Sequence, residues 1–283
     1  MNVKVYGFNH SPWVQAVLLA LHDKGIKHRV YINPPPEVFK KWGVYMPAVS
    51  INGEPWEIES PEILVKLGCE PILKNDLKAV QVAWQGVLHR ANNPIRFFAA
   101  FSKVGTDSGI LISRLIDSFL LSFISCYMFL LINFAKFKLK VKDPDSFGDQ
   151  FMYWEEKLKL KKGPYIDGGE PGATDLLLFG VIQCHSSIPV PALSALQFDE
   201  RLSGLRKWIA LMHERFLYYP YLYSSKFFEP LRPYPKSTHI SQQVIFFLGI
   251  LTILIFSPIT IPMIIFLMLR TPRKNQNFLH DFN

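Results

Sequence analysis

The pattern of apolar and polar residues at the start of the chain predicts a strand, a helix and a second strand. Val3–Tyr6 alternates between apolar and polar positions and is rich in β-branched and aromatic side chains, which is typical of a short strand. The next apolar residues recur at helical spacing, at Val14, Val17, Leu18 and Leu21. Lys24-Gly25 ends this helix, and residues 29–32 resume a strand pattern. We therefore predict a βαβ unit.

The first helix begins with residues that favour an anion at its N-terminus. Ser11 is a good N-cap, and Pro12 stands at the first helical position, where a missing N–H leaves no hydrogen bond unmade. The free N–H groups of the first turn and the helix dipole would stabilise a negative charge, including a thiolate, beside the Ser11 hydroxyl. Ser11 is thus either a plain helix cap or a residue that contacts a bound thiol.

A hairpin with a proline at its entrance follows. Pro47 leads into a strand over residues 48–51, which turns at Asn52-Gly53 and returns over residues 56–58. Asn-Gly is a strong short-range hairpin signal. A proline at this point is a candidate cis peptide, which would leave the backbone of Met46 free to pair with an extended ligand.

Taken in order, residues 1–70 resemble the soluble glutathione transferases. Residues 11–26 look like the family's first helix, and Met46-Pro47-Ala48-Val49 resembles its cis-proline segment. Glu59-Ser60 opens a predicted helix, capped by Ser60, that runs to Leu67, and it resembles the acidic-serine pair that holds the γ-glutamyl group of glutathione. The resemblance implies a thioredoxin-like α/β domain over residues 1–70, followed by an all-α domain.

The resemblance also implies roles for individual residues. Glutathione would lie extended along Met46 and Pro47, with its γ-glutamyl end on Glu59 and Ser60. Ser11 stands where thioredoxin-like relatives carry a cysteine, and this resembles the classes that stabilise the glutathione thiolate through a hydroxyl hydrogen bond. An apolar electrophile would bind between the two domains, where proximity and thiolate activation carry the chemistry.

Lys41 and Trp13 each have two possible roles, one in the site and one structural. Lys41, next to Lys40, would either meet the glycine carboxylate of glutathione or belong to a solvated face. Trp13 would either wall the substrate pocket or pack in the core.

The second part of the chain predicts an all-helical domain over residues 75–232. Residues 76–90 and 205–216 each place apolar side chains on one helical face. Further similarity to the family lies in residues 164–176, which resemble a buried helix start with a serine or threonine cap three residues before an aspartate. Gly172 takes the cap position before Asp175, so half of the usual capping box is missing.

A long uncharged segment, residues 244–269, predicts a membrane anchor, which we assign to residues 243–270. The segment is long enough to cross a hydrocarbon core of about 30 Å. Pro258 and Pro262 would kink a spanning helix or break it into the two arms of a re-entrant hairpin. Basic residues at 270–274 favour a cytoplasmic tail. A cytoplasmic head together with a cytoplasmic tail would require the hairpin. The sequence nevertheless favours the spanning helix over the hairpin, and it places the globular head in the cytoplasm.

A second apolar stretch, residues 118–135, is followed by a run of lysines. It is either a buried helix of the helical domain or a helix that contacts the membrane, with the lysines on anionic head groups. The stretch is more apolar than a soluble helical domain of this kind needs.

Composition excludes several other classes of protein. The net charge of +8 is not gathered into one stripe, so no nucleic-acid surface is indicated. Cys69, Cys126 and Cys184 are odd in number and show no CxxC or metal-ligand spacing, so we expect free thiols in a reducing compartment and no metal. No apolar leader opens the sequence, so no secretory signal is predicted.

Two functions remain. The first is a membrane-anchored glutathione transferase that transfers the glutathione thiolate to a small apolar electrophile, and its assembly as a homodimer is left open. The second is a non-catalytic membrane adaptor with a transferase-like fold, resembling the metaxins. Ser11, Pro47 and Glu59-Ser60 favour the enzyme. The anchor and the apolar stretch at 118–135 favour the adaptor.

Overall fold

The computed structural model describes residues 1–89, 111–112, 115–116, 119, 148–187, 194–229 and 240–270. We number the strands and helices of these residues in chain order. The N-terminal elements are β1 Val3–Tyr6, α1 Pro12–Asp23, β2 His28–Tyr31, α2 Pro36–Trp42, β3 Ala48–Ile51, β4 Glu57–Ile58 and α3 Ser60–Lys66. This βαβαββα order is that of a thioredoxin-like domain, as the resemblance implies.

The four strands form one sheet in the order β2-β1-β3-β4. β1 is parallel to β2 and antiparallel to β3, and β3 is antiparallel to β4. The parallel pair requires a crossover, which α1 supplies. The predicted βαβ unit is therefore confirmed. α1 is apolar along most of its length, and its residues from Ala16 to Leu21 are fully buried in the core.

The predicted hairpin turn is also present. Asn52 and Gly53 both have positive φ, at 52° and 84°, as an Asn-Gly turn of this kind requires. The Glu54 N–H closes the turn on the Ile51 carbonyl at 2.9 Å. The two strands pair at Ala48–Val49 with Glu57–Ile58, so the loop that connects them is longer than the two residues Asn52 and Gly53.

The helical part packs on the N-terminal domain in one continuous hydrophobic core. Its elements are α4 Lys74–His89, α5 Met152–Leu160, α6 Ala173–Ser187, α7 Ser194–Phe198 and α8 Ser203–Arg215, with 3₁₀ turns at Asp149–Phe151 and Glu200–Leu202. An all-helical arrangement follows the thioredoxin-like domain, as predicted. The apolar stretch at 118–135 lies, apart from Phe119, outside the described residues.

Helix α6 lies at the centre and contacts both α1 and α4. Gly180 of α6 lies against the first turn of α1: a Cβ at this position would be 2.4 Å from the carbonyl oxygen of Pro12. Only a residue without a side chain permits this approach. The start of α1, which carries Ser11, is therefore held directly against the helical domain.

The start of α6 depends on a buried aspartate. Asp175 is fully buried and accepts hydrogen bonds from the backbone N–H groups of Ile166, Asp167 and Gly172 at 2.8, 3.0 and 3.2 Å. The indole N–H of Trp208 on α8 donates to the same carboxylate at 2.7 Å. One side chain thus joins the loop before α6, the first turn of α6 and α8.

Asp167 supplies the missing half of the capping box. Its Oδ2 accepts a hydrogen bond from the Thr174 N–H at 2.8 Å, which is the role of a cap side chain. A Cβ at Gly172 would be only 2.3 Å from that oxygen. The glycine is therefore required here, because a serine at the cap position would collide with the carboxylate that replaces it.

The C-terminal segment forms two consecutive helices, α9 Ile240–Ile255 and α10 Ser257–Arg270, instead of the one helix that the sequence favoured over 244–269. Pro258 has no N–H to donate to the preceding turn, and the N–H groups of Ile259 and Thr260 both turn to the Phe256 carbonyl, at 2.9 and 2.8 Å. Pro262 stays inside α10. Among the described residues, no helix has both the length and the apolar character needed to cross a membrane.

Helices α9 and α10 have a few buried residues and many exposed apolar side chains. Gly249, Ile253 and Thr260 are buried, and α10 lies against α2. The large apolar side chains with about half or more of their surface exposed include Phe247, Leu251, Leu254, Ile255, Phe256, Ile259 and Phe266. The pair therefore presents a broad apolar surface to its surroundings.

Candidate functional site

The strand registers bring three predicted site segments to one end of the sheet. Tyr6, the last residue of β1, pairs with Ala48, the first residue of β3. Ala48 in turn pairs with Ile58, the last residue of β4. The loop after β1, the Met46-Pro47 segment and Glu59-Ser60 therefore leave the sheet side by side. Residues far apart in the sequence form one edge.

The Met46–Pro47 peptide bond is cis, as predicted. The sulfur of Met46 accepts a hydrogen bond from the Phe8 N–H at 3.5 Å, which ties this segment to the loop after β1. Among the described residues, no hydrogen bond between backbone groups involves Met46. Its N–H and C=O can therefore pair with an extended ligand in the manner of an added strand.

Ser11 occupies the N-cap of α1, with φ −73° and ψ 129°, but its side chain makes no capping hydrogen bond. The backbone holds the residue in place instead. Its N–H donates to the Phe8 carbonyl, and its carbonyl accepts from the Gln15 N–H, both at 2.9 Å. Ser11 is half-buried. The hydroxyl therefore stands at a helix N-terminus without serving as its cap.

Glu59 joins β4 to α3 in an unusual backbone conformation. Its φ is 78° and its ψ is 101°, and it is the N-cap of α3, a place that the sequence had given to Ser60. A residue with a side chain adopts such a conformation at a cost of about 1–3 kcal/mol. Ser60 follows as the first helical residue and is almost fully buried. The surrounding structure thus holds the acidic-serine pair in one orientation.

Tyr45 is a site residue that the sequence did not indicate. It directly precedes the cis peptide Met46-Pro47, and its hydroxyl donates to the Glu59 Oε1 at 3.1 Å. Burial, with a further contribution from Glu59, raises the pKa of Tyr45 well above its usual value, so the phenol remains a donor to Glu59 even in alkaline solution. No pattern in a single sequence distinguishes this tyrosine from a packing residue.

Lys41 and Trp13, the two remaining predicted site residues, lie on helices α2 and α1. Lys41 is exposed in the last turn of α2, with its ammonium 4.3 Å from the centre of the Trp42 ring. Trp13 is half-buried in the first turn of α1, and its ring lies 6.1 Å from that of Trp84 on α4. Trp13 therefore stands where the two domains meet.

The prediction of free thiols and of no metal site can be compared with the described residues only. Cys69 and Cys184 are free thiols, and Cys126 lies outside the described residues. Cys184 and His185 are buried in α6. Within the part of the chain that the structure covers, no group of three or more His, Cys, Asp or Glu side chains could hold a metal ion.

No protein-family model and no curated protein matches the chain. Solved structures do show similarity. The theta class glutathione S-transferase from Xanthomonas axonopodis pv. citri, with glutathione bound, is 14% identical over 79% of this chain and 98% of its own, with a TM-score of 0.42. Dehydroascorbate reductase from Chlamydomonas reinhardtii is 14% identical over 77% and 92%, with a TM-score of 0.46. The Tau class glutathione S-transferase from mango, Mangifera indica, is 16% identical over 78% and 90%, with a TM-score of 0.39.

Proposed function

We propose that this protein binds glutathione at the described edge of the sheet and transfers its thiolate to an apolar electrophile. The observation that carries the proposal is the convergence of three features: the backbone of Met46 beside a cis peptide, the Glu59-Ser60 pair, and the Ser11 hydroxyl. The Met46 backbone pairs with the extended tripeptide. Glu59 accepts from its ammonium, and Ser60 and Lys41 meet its carboxylates.

Ser11 carries the chemistry in this proposal. Its hydroxyl makes no capping bond, so it is available to donate to a thiolate at the N-terminus of α1. A donor to the charged form lowers the pKa of the bound thiol and raises the fraction of nucleophile at neutral pH. The electrophile binds beside Trp13, where the two domains meet.

Binding to glutathione separates the enzyme from the non-catalytic adaptor. We expect the full chain, solubilised in mild detergent, to bind immobilised glutathione and to be eluted by the free tripeptide. A chain that passes through the resin, and that shows no heat of binding with glutathione, would favour the adaptor. Conjugation of a chromogenic aryl halide then tests for transfer itself.

We expect Glu59→Gln to weaken glutathione binding about tenfold. The change removes one charge-assisted hydrogen bond, and because Glu59 is half exposed we take the lower end of the range for such bonds, about 1.5 kcal/mol. Isothermal titration calorimetry measures the affinity. Glu62→Gln is the matched control, since it makes the same charge change at an exposed position of the same helix turn. Equal affinities for Glu59→Gln and the unaltered protein would remove Glu59 from the site.

We further propose that α9 and α10 attach the protein to a membrane, with the globular head in the cytoplasm. The support is the uncharged run over 244–269, the exposed apolar side chains on both helices, and the basic residues at 270–274. An exposed apolar surface of this extent on a soluble monomer is unusual.

We expect the full chain to resist carbonate extraction, whereas a chain ending near Tyr234 is released. The difference follows from the removal of both apolar helices. Immunoblots of pellet and supernatant report the result. Protease treatment of sealed membranes, with a tag after Asn283, reports the path of the segment: a protected tag means that it spans, and a digested tag means that it re-enters. A truncated chain that stays in the carbonate pellet would make residues 118–135 a second membrane element.

A further inference from the structure

A buried glutamine on α1 contacts the loop that carries Ser11. Gln15 is fully buried, and its side-chain amide donates to the Asn9 carbonyl at 2.6 Å and to the Tyr221 carbonyl at 3.1 Å. The Tyr219 hydroxyl donates to its Oε1 at 2.8 Å, which fixes the orientation of the amide. The amide therefore joins the loop after β1 to the segment after α8.

The same residue also holds Ser11 through the backbone. The Gln15 N–H donates to the Ser11 carbonyl at 2.9 Å, one helical turn away. Gln15 thus contacts the chain on both sides of His10, at Asn9 through its side chain and at Ser11 through its backbone. His10 between them stacks on Tyr223, with ring centres 4.9 Å apart. The conformation of residues 9–11 is therefore coupled to the segment at 219–223.

A second buried glutamine holds the same segment without touching the loop. Gln183 on α6 is fully buried, and its Oε1 accepts from the N–H groups of Tyr223 and Ser224 at 2.8 and 3.2 Å. Its amide donates to the Ser224 hydroxyl at 2.9 Å. Gln15 and Gln183 thus make three side-chain hydrogen bonds each, but only Gln15 reaches the loop.

We infer that Gln15 is a positioning residue for the Ser11 hydroxyl. The inference rests on the proposed function, because it assigns to Gln15 the placement of the group that meets the glutathione thiolate. Helix α1 alone does not determine where the loop before it runs, since residues before an N-cap are outside the helical ladder. The side-chain amide of Gln15 donates to the Asn9 carbonyl, and the Tyr219 hydroxyl, from the helical domain, fixes the orientation of that amide. If a hydroxyl that stabilises the thiolate is displaced by about 1 Å, the rate can fall on the order of a hundredfold.

The test compares Gln15→Met with Gln183→Met in the full chain. Methionine keeps the length, has no donor and offers only a weak sulfur acceptor, so both variants lose the three strong side-chain hydrogen bonds and we expect similar losses of stability in urea. Gln15→Met should raise the pKa of bound glutathione, read from thiolate absorbance against pH, more than Gln183→Met does, because Gln183 is connected to the loop only through Tyr223, which stacks on His10. The pH profile of kcat/KM for the electrophile, at saturating glutathione, should shift in the same direction. We expect a fall in kcat of at least tenfold for Gln15→Met with little change in KM.

Tyr219→Phe is a milder variant in case Gln15→Met does not fold. It leaves both amide donors in place but removes the group that orients them, so we expect a smaller shift in the same direction. Equal pH profiles for the Gln15 and Gln183 variants, or no shift in Tyr219→Phe when Gln15→Met fails to fold, would overturn the inference.

A second measurement separates this inference from the proposed function. Hydrogen exchange at the Ser11 amide, which donates to the Phe8 carbonyl, reports the order of the loop without any ligand. We expect faster exchange in Gln15→Met, or in Tyr219→Phe, than in Gln183→Met. If the unaltered protein binds no glutathione, the proposed function fails, and the exchange rates alone decide whether Gln15 positions the loop. Unchanged exchange in the Gln15 and Tyr219 variants would overturn the positioning role.

Discussion

We expect Ser11→Ala to reduce turnover with glutathione by about ten- to a hundredfold while leaving the free energy of unfolding nearly unchanged. The usual loss of about 1 kcal/mol for removing a serine cap does not apply, because the Ser11 side chain makes no capping hydrogen bond. A hydrogen bond to a charged group is worth about 1.5–3 kcal/mol, which corresponds to a rise of about one to two units in the pKa of the bound thiol.

The sign of this pH effect follows from the charge state that Ser11 stabilises. A hydroxyl donor favours the thiolate, so removing it raises the pKa of the bound thiol. The rising limb of the kcat/KM profile for the electrophile, measured at saturating glutathione, therefore moves to higher pH. Thiolate absorbance titrations of the two proteins measure the shift, and urea unfolding is the control for stability. Ser11→Cys offers a second check, since a thiol at a helix N-terminus is expected to introduce disulfide exchange with glutathione. Superimposable titrations of Ser11→Ala and the unaltered protein would exclude Ser11 from the mechanism.

We expect Asp175→Ala to lower the free energy of unfolding by about 3–5 kcal/mol, or to prevent folding. Three backbone N–H groups and the Trp208 indole N–H lose their acceptor together. The bonds from Ile166 and Trp208 are buried and those from Asp167 and Gly172 are part-buried, and each buried donor left unpaired costs about 1–3 kcal/mol. A domain is stable by only about 5–15 kcal/mol, so this is a large share of the total. Urea unfolding followed by tryptophan fluorescence measures the loss.

Asp167→Ala is the matched control for this prediction. Asp167 caps the same helix but is exposed, and its carboxylate accepts from the single N–H of Thr174. We expect a loss of about 1 kcal/mol, as for an ordinary cap. Equal losses for the two variants would mean that Asp175 acts only as a cap and that its bonds to the preceding loop and to α8 contribute little.

Asp175 also bears on the site, although it lies outside it. The helix that it starts carries Gly180, whose position would bring a Cβ to 2.4 Å from the Pro12 carbonyl. Loosening α6 therefore loosens the wall against which the first turn of α1 is packed. For that reason we expect Asp175 variants that still fold to lose glutathione affinity as well as stability.

Several elements could be predicted because they depend on neighbours in the sequence. Strand β1, the start of helix α1 at Pro12 and the Asn-Gly turn all form as expected. Each follows from the conformational preference of a few adjacent residues. The cis bond before Pro47 follows the same logic, since only an X-Pro bond populates cis appreciably. Helix α2 was missed, because seven residues give too short a period and three consecutive prolines, at 34–36, obscure its start.

Two other features differ from the sequence-based expectation, although their causes lie only a few residues away. A single helix over 244–269 was favoured from composition, yet the missing N–H of Pro258 divides it at Phe256. From the sequence, Gly172 indicated that helix α6 lacks a capping side chain. In the structure, the absence of a side chain at Gly172 makes room for the Asp167 carboxylate, which caps the helix. The cap is retained, but it comes from five residues earlier.

By itself, the sequence determined the strands and the first and third helices of residues 1–70, the cis-proline segment and the residue types of the candidate site, because each of these expresses a preference of a few adjacent residues. The tertiary structure decided how that site is assembled. Strand register brings Pro47 beside Glu59, and the buried amide of Gln15 connects the loop before Ser11 to residues more than 200 positions away. Hydrogen bonds across such separations leave no local signal, since either partner alone is an ordinary buried or surface residue until the chain folds.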